Sequence, residues 1–131
     1  MPFATYKKAK IHYTAQGKGS AVVLLHGFLE SSTMWSEFVS ELQKSNRVIC
    51  VDLPGHGNSE CFGYVHTMDE MAHCVVAVLK KLKIRKAKVV GHSMGGYVGL
   101  AFADLYPDYV KGICLFFSTS KADSSQKKKD R

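Results

Sequence analysis

The stretch most able to do chemistry is residues 88–107, "KVVGHSMGGYVGLAFADLYP". Ser93 lies there between Gly91 and Gly95, a Gly-x-Ser-x-Gly pattern. An apolar run precedes it, and an amphipathic stretch follows and stops at Pro107. A buried strand turning sharply into a helix lifts such a serine hydroxyl above a sheet, where it can attack a carbonyl carbon. Glycines at 91 and 95 suit that turn, because strand and helix backbones pass too close there for side chains. Met94 opens the helix, so its backbone N–H faces the reacting oxygen, aided by the helix dipole. The five residues alone fit equally a serine that caps a helix. The strand before and the helix after favour the nucleophile.

A serine hydroxyl also needs a base to take its proton at neutral pH. The six histidines are His12, His26, His56, His66, His73 and His92, and all precede Ser93. The acids after it are Asp104 and Asp108, on or just past the helix, and Asp123 and Asp130, in a polar tail. His92 should point away from Ser93, as its neighbour on the turn. Two loops complete the candidate site. "LLHGF" ends an earlier apolar run, and the Phe28 N–H, just after His26-Gly27, is placed to be the second donor of an oxyanion hole. "DLPGHGNS", residues 52–59, is a tight loop at a strand's carboxyl end, where ligands sit in open α/β sheets. His56 within it reads as structural.

The elements that must position these residues follow from hydrophobic period. "FATY" and "KIHYTAQG" read as two short strands, the second alternating as on a half-exposed sheet. "AVVLLHG", "RVICVDLPGHG" and "AKVVGHS" are apolar runs suited to strands covered on both faces. "VKGICLFFS" reads as a fourth such strand, and as an exposed sheet edge if the chain stands alone. Between them, Trp35, Phe38, Val39 and Leu42 recur at helical spacing, with Ser31, Ser32 or Thr33 as the cap. Thr67 and Glu70 have capping-box spacing ahead of a face of Met71, Cys74, Val75, Val78, Leu79 and Leu82. A third helix is expected over Met94 to Tyr106, ended by Pro107. Strands alternating with helices predict an α/β fold with a mostly parallel sheet, the two N-terminal strands pairing antiparallel at one edge.

Bulk composition bounds the function. At 131 residues, 46% apolar and 22% charged, the chain reads as one globular domain. The net charge of +7 is compatible with nucleic-acid binding. Much of it, however, sits in Lys7, Lys8 and Lys10, in residues 80–88 and in Lys127 to Lys129, which read as solvated faces and a tail. No nucleic-acid or membrane partner is expected, since no apolar run reaches the roughly 18 residues of a span. Cys50, Cys61, Cys74 and Cys114 form no C-x-x-C pair, so neither a metal site nor a redox dithiol is indicated. With no apolar core of signal-peptide length in "MPFATYKKAK", a reduced, cytoplasmic protein is the expectation.

Together, "VVLLHGF", "VDLPGHGNS" and "VVGHSMGGYVGLAFADLYP" resemble, in order and spacing, the N-terminal half of the α/β-hydrolase fold family. The likeness spans residues 3–118. It implies that 1–118 form the N-terminal half of such a domain and that 119–131 are a polar tail at the start of a lid region. It implies Ser93 as nucleophile and the Phe28 and Met94 amides as the oxyanion hole. The expected substrate is a small acyl compound, an ester, thioester or relative, with no cofactor. The family's triad runs Ser, then Asp or Glu, then His. Neither partner follows Ser93 here on a further strand. The expectation is therefore a truncated serine hydrolase, inactive in isolation, with possible self-association through the 112–118 strand. A non-catalytic binding module and a half-enzyme completed by another chain are the alternatives.

Overall fold

The computed structural model of the chain describes residues 2–27, 31–54, 59 and 67–116. Six strands, β1 (Phe3–Tyr6), β2 (Ala9–Gln16), β3 (Ser20–Leu25), β4 (Asn46–Val51), β5 (Ala87–His92) and β6 (Val110–Phe116), form one sheet in the order β1-β2-β4-β3-β5-β6. β1 and β2 are antiparallel at one edge, as their alternating pattern predicts, and β4, β3, β5 and β6 run parallel. The helices are α1 (Ser36–Leu42), α2 (Met68–Lys81) and α3 (Met94–Leu105).

β3 and β4 are buried on both faces, alternate side chains entering opposite cores. Val23 and Leu25 of β3, Ile49 and Val51 of β4 and Val89 of β5 join the larger core under α2 and α3. Val22 and Leu24 of β3, with Val48 and Cys50 of β4, face Trp35 on the other side. α2 behaves as its pattern requires: Met71, Cys74, Val75, Val78 and Leu79 are all buried. Its cap is half a capping box. Thr67 Oγ1 accepts the Glu70 N–H at 3.0 Å, but the Glu70 carboxylate is drawn instead to Tyr6 and Lys7 of the β1 edge.

Two expectations need correction. The segment after β3 is not one helix. Ser31 caps a 3₁₀ turn, Ser32–Trp35, and α1 follows with no fully buried residue; only Trp35 of the expected apolar face is buried, and Phe38 is 51% exposed. β6 departs from the reading as a strand covered on both faces and is instead the exposed sheet edge also expected of the chain standing alone. Ile113 is 39% exposed and Cys114 is exposed, because among the described residues only β5 pairs with β6.

Candidate active site

Strand order gives the site its place. From β3 the chain moves to β4 on one side through α1, then returns through α2 to β5 on the other side of β3. The connections from the adjacent strands β3 and β5 leave in opposite directions, to β4 and to β6, which opens a crevice between their carboxyl ends, the topological switch point where ligands sit in open α/β sheets. β3 and β5 pair in register up to Leu25↔Gly91. Gly27 and Ser93 therefore each lie two residues beyond the last paired position, at the same end of the sheet.

Ser93 is the residue between β5 and α3, half-buried, with φ 55° and ψ −115°. L-residues rarely adopt that conformation, and it costs of the order of 1–3 kcal/mol unless its surroundings enforce it. The enforcing contacts are visible at the two glycines. A Cβ on Gly91 would lie 2.6 Å from the Gly96 Cα and would collide with the Gly95 carbonyl. A Cβ on Gly95 would lie 2.6 Å from the His26 carbonyl oxygen and would collide with that of Leu25. The first turn of α3 thus rests directly on the backbone at the exit of β3. The Ser93 carbonyl accepts from the Gly96 N–H at 2.8 Å and the Tyr97 N–H at 3.4 Å. Met94, at the first helical position, has an N–H with no carbonyl one turn earlier in the helix, as the first amides of any helix do. Phe28 and His56 lie outside the described residues.

Each described histidine is engaged away from Ser93. His26 is fully buried; its Nε2 accepts the Leu53 N–H at 2.9 Å, so its proton is on Nδ1, which donates to the Gly27 carbonyl at 2.7 Å. That neutral ring ties the exit of β3 to the exit of β4 and keeps no lone pair for a substrate proton. His12 Nδ1 meets Asp52 Oδ2 at 2.6 Å, with both side chains buried. The Ser59 hydroxyl braces the pair, accepting the His12 N–H at 2.7 Å and donating to the Asp52 carbonyl. The imidazole of this pair is on β2, three strand spacings from β5, or about 14 Å, and its acid follows β4. His73 Nδ1 contacts the Tyr106 hydroxyl at 2.5 Å, and Tyr106 follows the far end of α3, about 18 Å of helix from Ser93. The His92 ring sits edge-on to Trp35, 6.4 Å between centroids.

The cysteines offer no alternative nucleophile within the core. Burial pushes the Cys50 thiol up to about 11 and the Cys74 thiol up to about 12, so both stay protonated at neutral pH. Among the described residues no group of three His, Cys, Asp or Glu side chains could hold a metal ion. No helix among them is long and apolar enough to cross a membrane.

The sequence reading missed the His26 and His12 pairings and the cluster of Lys7, Glu70, Tyr6, His73 and Tyr106. In that cluster Tyr6 and Lys7 both donate to Glu70 at 2.9 Å, and the Tyr6 ring stacks on His73. Partners 63 and 64 positions apart leave no local signal; strand order alone brings them together.

Comparison with known proteins agrees with this geometry. A family model described as alpha/beta hydrolase fold matches residues 20–129. The chain is 39% identical to the dihydrolipoyllysine-residue acetyltransferase component of an acetoin cleaving system from Pseudomonas putida, over 81% of this chain and 29% of that protein. It is 37% identical to a 2-hydroxy-6-oxononadienedioate/2-hydroxy-6-oxononatrienedioate hydrolase from Burkholderia vietnamiensis, over 81% of this chain and 39% of that one. A thermophilic esterase from Thermogutta terrifontis superposes with a TM-score of 0.82 at 32% identity, covering 97% of this chain and 49% of its own. The chain thus spans half or less of each relative's length.

Proposed function

This chain belongs to the α/β hydrolase fold family, and from that premise we propose that it carries the nucleophile half of a serine hydrolase acting on an ester, thioester or related acyl substrate. The observation that carries the reading is the conformation of Ser93, φ 55° at a strand-to-helix turn over the sheet's switch point. A helix cap has no need of that strain; a hydroxyl held out above a sheet does. Ser93 Oγ attacks the acyl carbon, its proton passing to a base. The Met94 N–H, with that of Phe28, holds the oxygen that becomes negative. The tetrahedral intermediate then collapses to an acyl-serine as the leaving group takes the proton, and water releases the acid by the same steps in reverse.

The base and its orienting acid come, in this reading, from polypeptide beyond residues 1–131. Among the described histidines, His12, His26 and His73 are hydrogen-bonded to groups other than Ser93, and the chain covers 49% of the Thermogutta terrifontis esterase. With the base gone, a residual acceleration of roughly 10³–10⁴ over water is the most an oxyanion hole and binding supply. The test is hydrolysis of an activated aryl ester by the purified chain, with Ser93→Ala beside it. The expected result is turnover near background, and slow, stoichiometric labelling of Ser93 by a phosphonate that the variant lacks. Phosphonate labelling that is unchanged in Ser93→Ala would sink the assignment.

A further inference from the structure

Basic residues far apart in sequence meet at the amino end of the sheet. The parallel strands start in register there, at Ser20↔Asn46, Ala21↔Ala87 and Ala87↔Val110. Their starts form one rim, three strand spacings or about 14 Å across. Lys18 lies in the turn that leads into β3, Arg47 is the second residue of β4, and Lys111 is the second of β6. The link from α2 into β5, residues 83–88, reads "KIRKAK", and its four cations are exposed. The acids at this end are Glu41 and Asp104, near the ends of α1 and α3, and Asp108 in the 3₁₀ turn Pro107–Tyr109. Among the described residues, the cation of this end with a carboxylate partner is Lys44, 3.4 Å from Glu41.

Ordinary structural roles cover part of this charge. Lys80 and Lys81, in the last turn of α2, complement the helix dipole. Lys111 protects a sheet edge from unwanted pairing. Lys83 has no such role. The Ile84 N–H donates to the Leu79 carbonyl at 2.9 Å, and the Lys83 N–H donates to that of Lys80 at 3.1 Å. That pair of bonds ordinarily closes a helix around a glycine. Lys83 holds the glycine's place at φ 60°, a strained conformation for a lysine, and its side chain is exposed. What the position gains over glycine is a cation on the rim.

We infer that this rim is a docking surface for an anionic lipid bilayer. Taken one run at a time, these lysines read as solvated faces; strand order joins them into one positive end, which reverses the expectation of no membrane partner. The rim is broad and level, as a bilayer surface requires. Its charge is mostly lysine, a compact point charge suited to a diffuse field of headgroups, whereas bidentate grip on single phosphates favours arginine. Nucleic acid fits less well. Phe38 and Tyr97, the exposed aromatic side chains among the described residues, lie in the first turns of α1 and α3, toward the other end of the sheet, so the rim offers no platform on which bases stack. Ser93 is at that other end, about 20 Å of strand away. A docked chain therefore turns its candidate site to solvent and meets its acyl substrate in water. That last consequence rests on the proposed function; the docking surface does not.

The test is co-sedimentation of the whole 131-residue chain with phosphatidylcholine vesicles, with and without phosphatidylserine, beside a random-sequence DNA duplex as a competing polyanion. Binding is expected only to vesicles containing phosphatidylserine, and high salt should reverse it. Arg85→Glu with Lys86→Glu should weaken it by roughly tenfold or more. Lys127→Glu with Lys128→Glu, the same change of net charge in the tail, should weaken it by less than about twofold. Lys83→Gly should bind about fivefold more weakly, the loss of one lysine near an anionic surface, while its urea midpoint rises. This last pairing of weaker binding with greater stability is one that a purely structural lysine would not produce. No binding to either vesicle overturns the proposal, as does Lys83→Gly that binds like the parent. Equal losses in the two double variants, both folded by circular dichroism, overturn it by making net charge alone responsible. Tighter binding to the duplex than to the vesicles overturns it in favour of nucleic acid. No readout involves Ser93, so failure of the proposed function leaves the docking surface standing.

Discussion

Ser93 and His26 carry unlike burdens. Ser93 holds a backbone conformation that only glycine adopts without strain. Ser93→Gly should therefore make the chain more stable than Ser93→Ala by about 1 kcal/mol, since both lose the hydroxyl and only one keeps the strained Cβ. Urea melts of the two variants measure the difference; equal midpoints would mean the turn is relaxed. His26 works through hydrogen bonds to backbone. His26→Ala orphans the Leu53 N–H beneath fully buried side chains, and should cost about 1–3 kcal/mol for that group beyond the lost packing. A midpoint within experimental error of the parent would show that the clamp between the β3 and β4 exits contributes nothing.

Among the elements, the junction of β1 with α2 has a stability that responds to pH. Hydrogen bonds from Lys7, then Tyr6, hold the Glu70 carboxyl below its usual value of 4.5, with burial opposing. A carboxyl depressed in the folded state contributes stability that is fully present above its unfolded value and lost as pH falls through the folded one. Thermal melts should therefore lose part of their stability below about pH 4.5, and Glu70→Gln should flatten that limb. An identical acid limb in the variant refutes the coupling. Tyr6 acts at the opposite extreme. Burial, then Glu70, raises its phenol to about 12. Its donated bond therefore persists through neutral pH, and its contribution is lost only as pH rises through that value.

For the whole molecule, the uneven covering of the sheet predicts uneven thiol chemistry. Cys50 and Cys74 are buried with raised pKa values, whereas Cys114 is exposed on β6. In a Cys61→Ser background, a disulfide reagent should modify one thiol quickly and two only as fast as the chain opens. Three thiols reacting at one rate would mean that the fold is loose throughout. One rapid site together with rapid exchange of β6 amides would mark the open edge as a property of the folded chain rather than of unfolding.

What the sequence determined by itself is local. Gly91-x-Ser93-x-Gly95 between an apolar run and an amphipathic one suffices for a strand-to-helix turn, because close packing of the two backbones excludes side chains at both glycines. The period of α2 named its buried face, and Thr67 its start. The three loop motifs taken together were legible as an α/β hydrolase fold. Tertiary structure decided the rest. Strand order placed Gly27 beside Ser93 and His12 three strands away, although both strands leading to them read alike as apolar or alternating runs. It drew the Glu70 carboxylate to Lys7 and Tyr6 instead of back to its own helix. It also left Phe38 and Cys114 exposed where their patterns predict burial. Periodicity reports which side of an element is apolar; whether anything lies against that side depends on polypeptide distant in sequence.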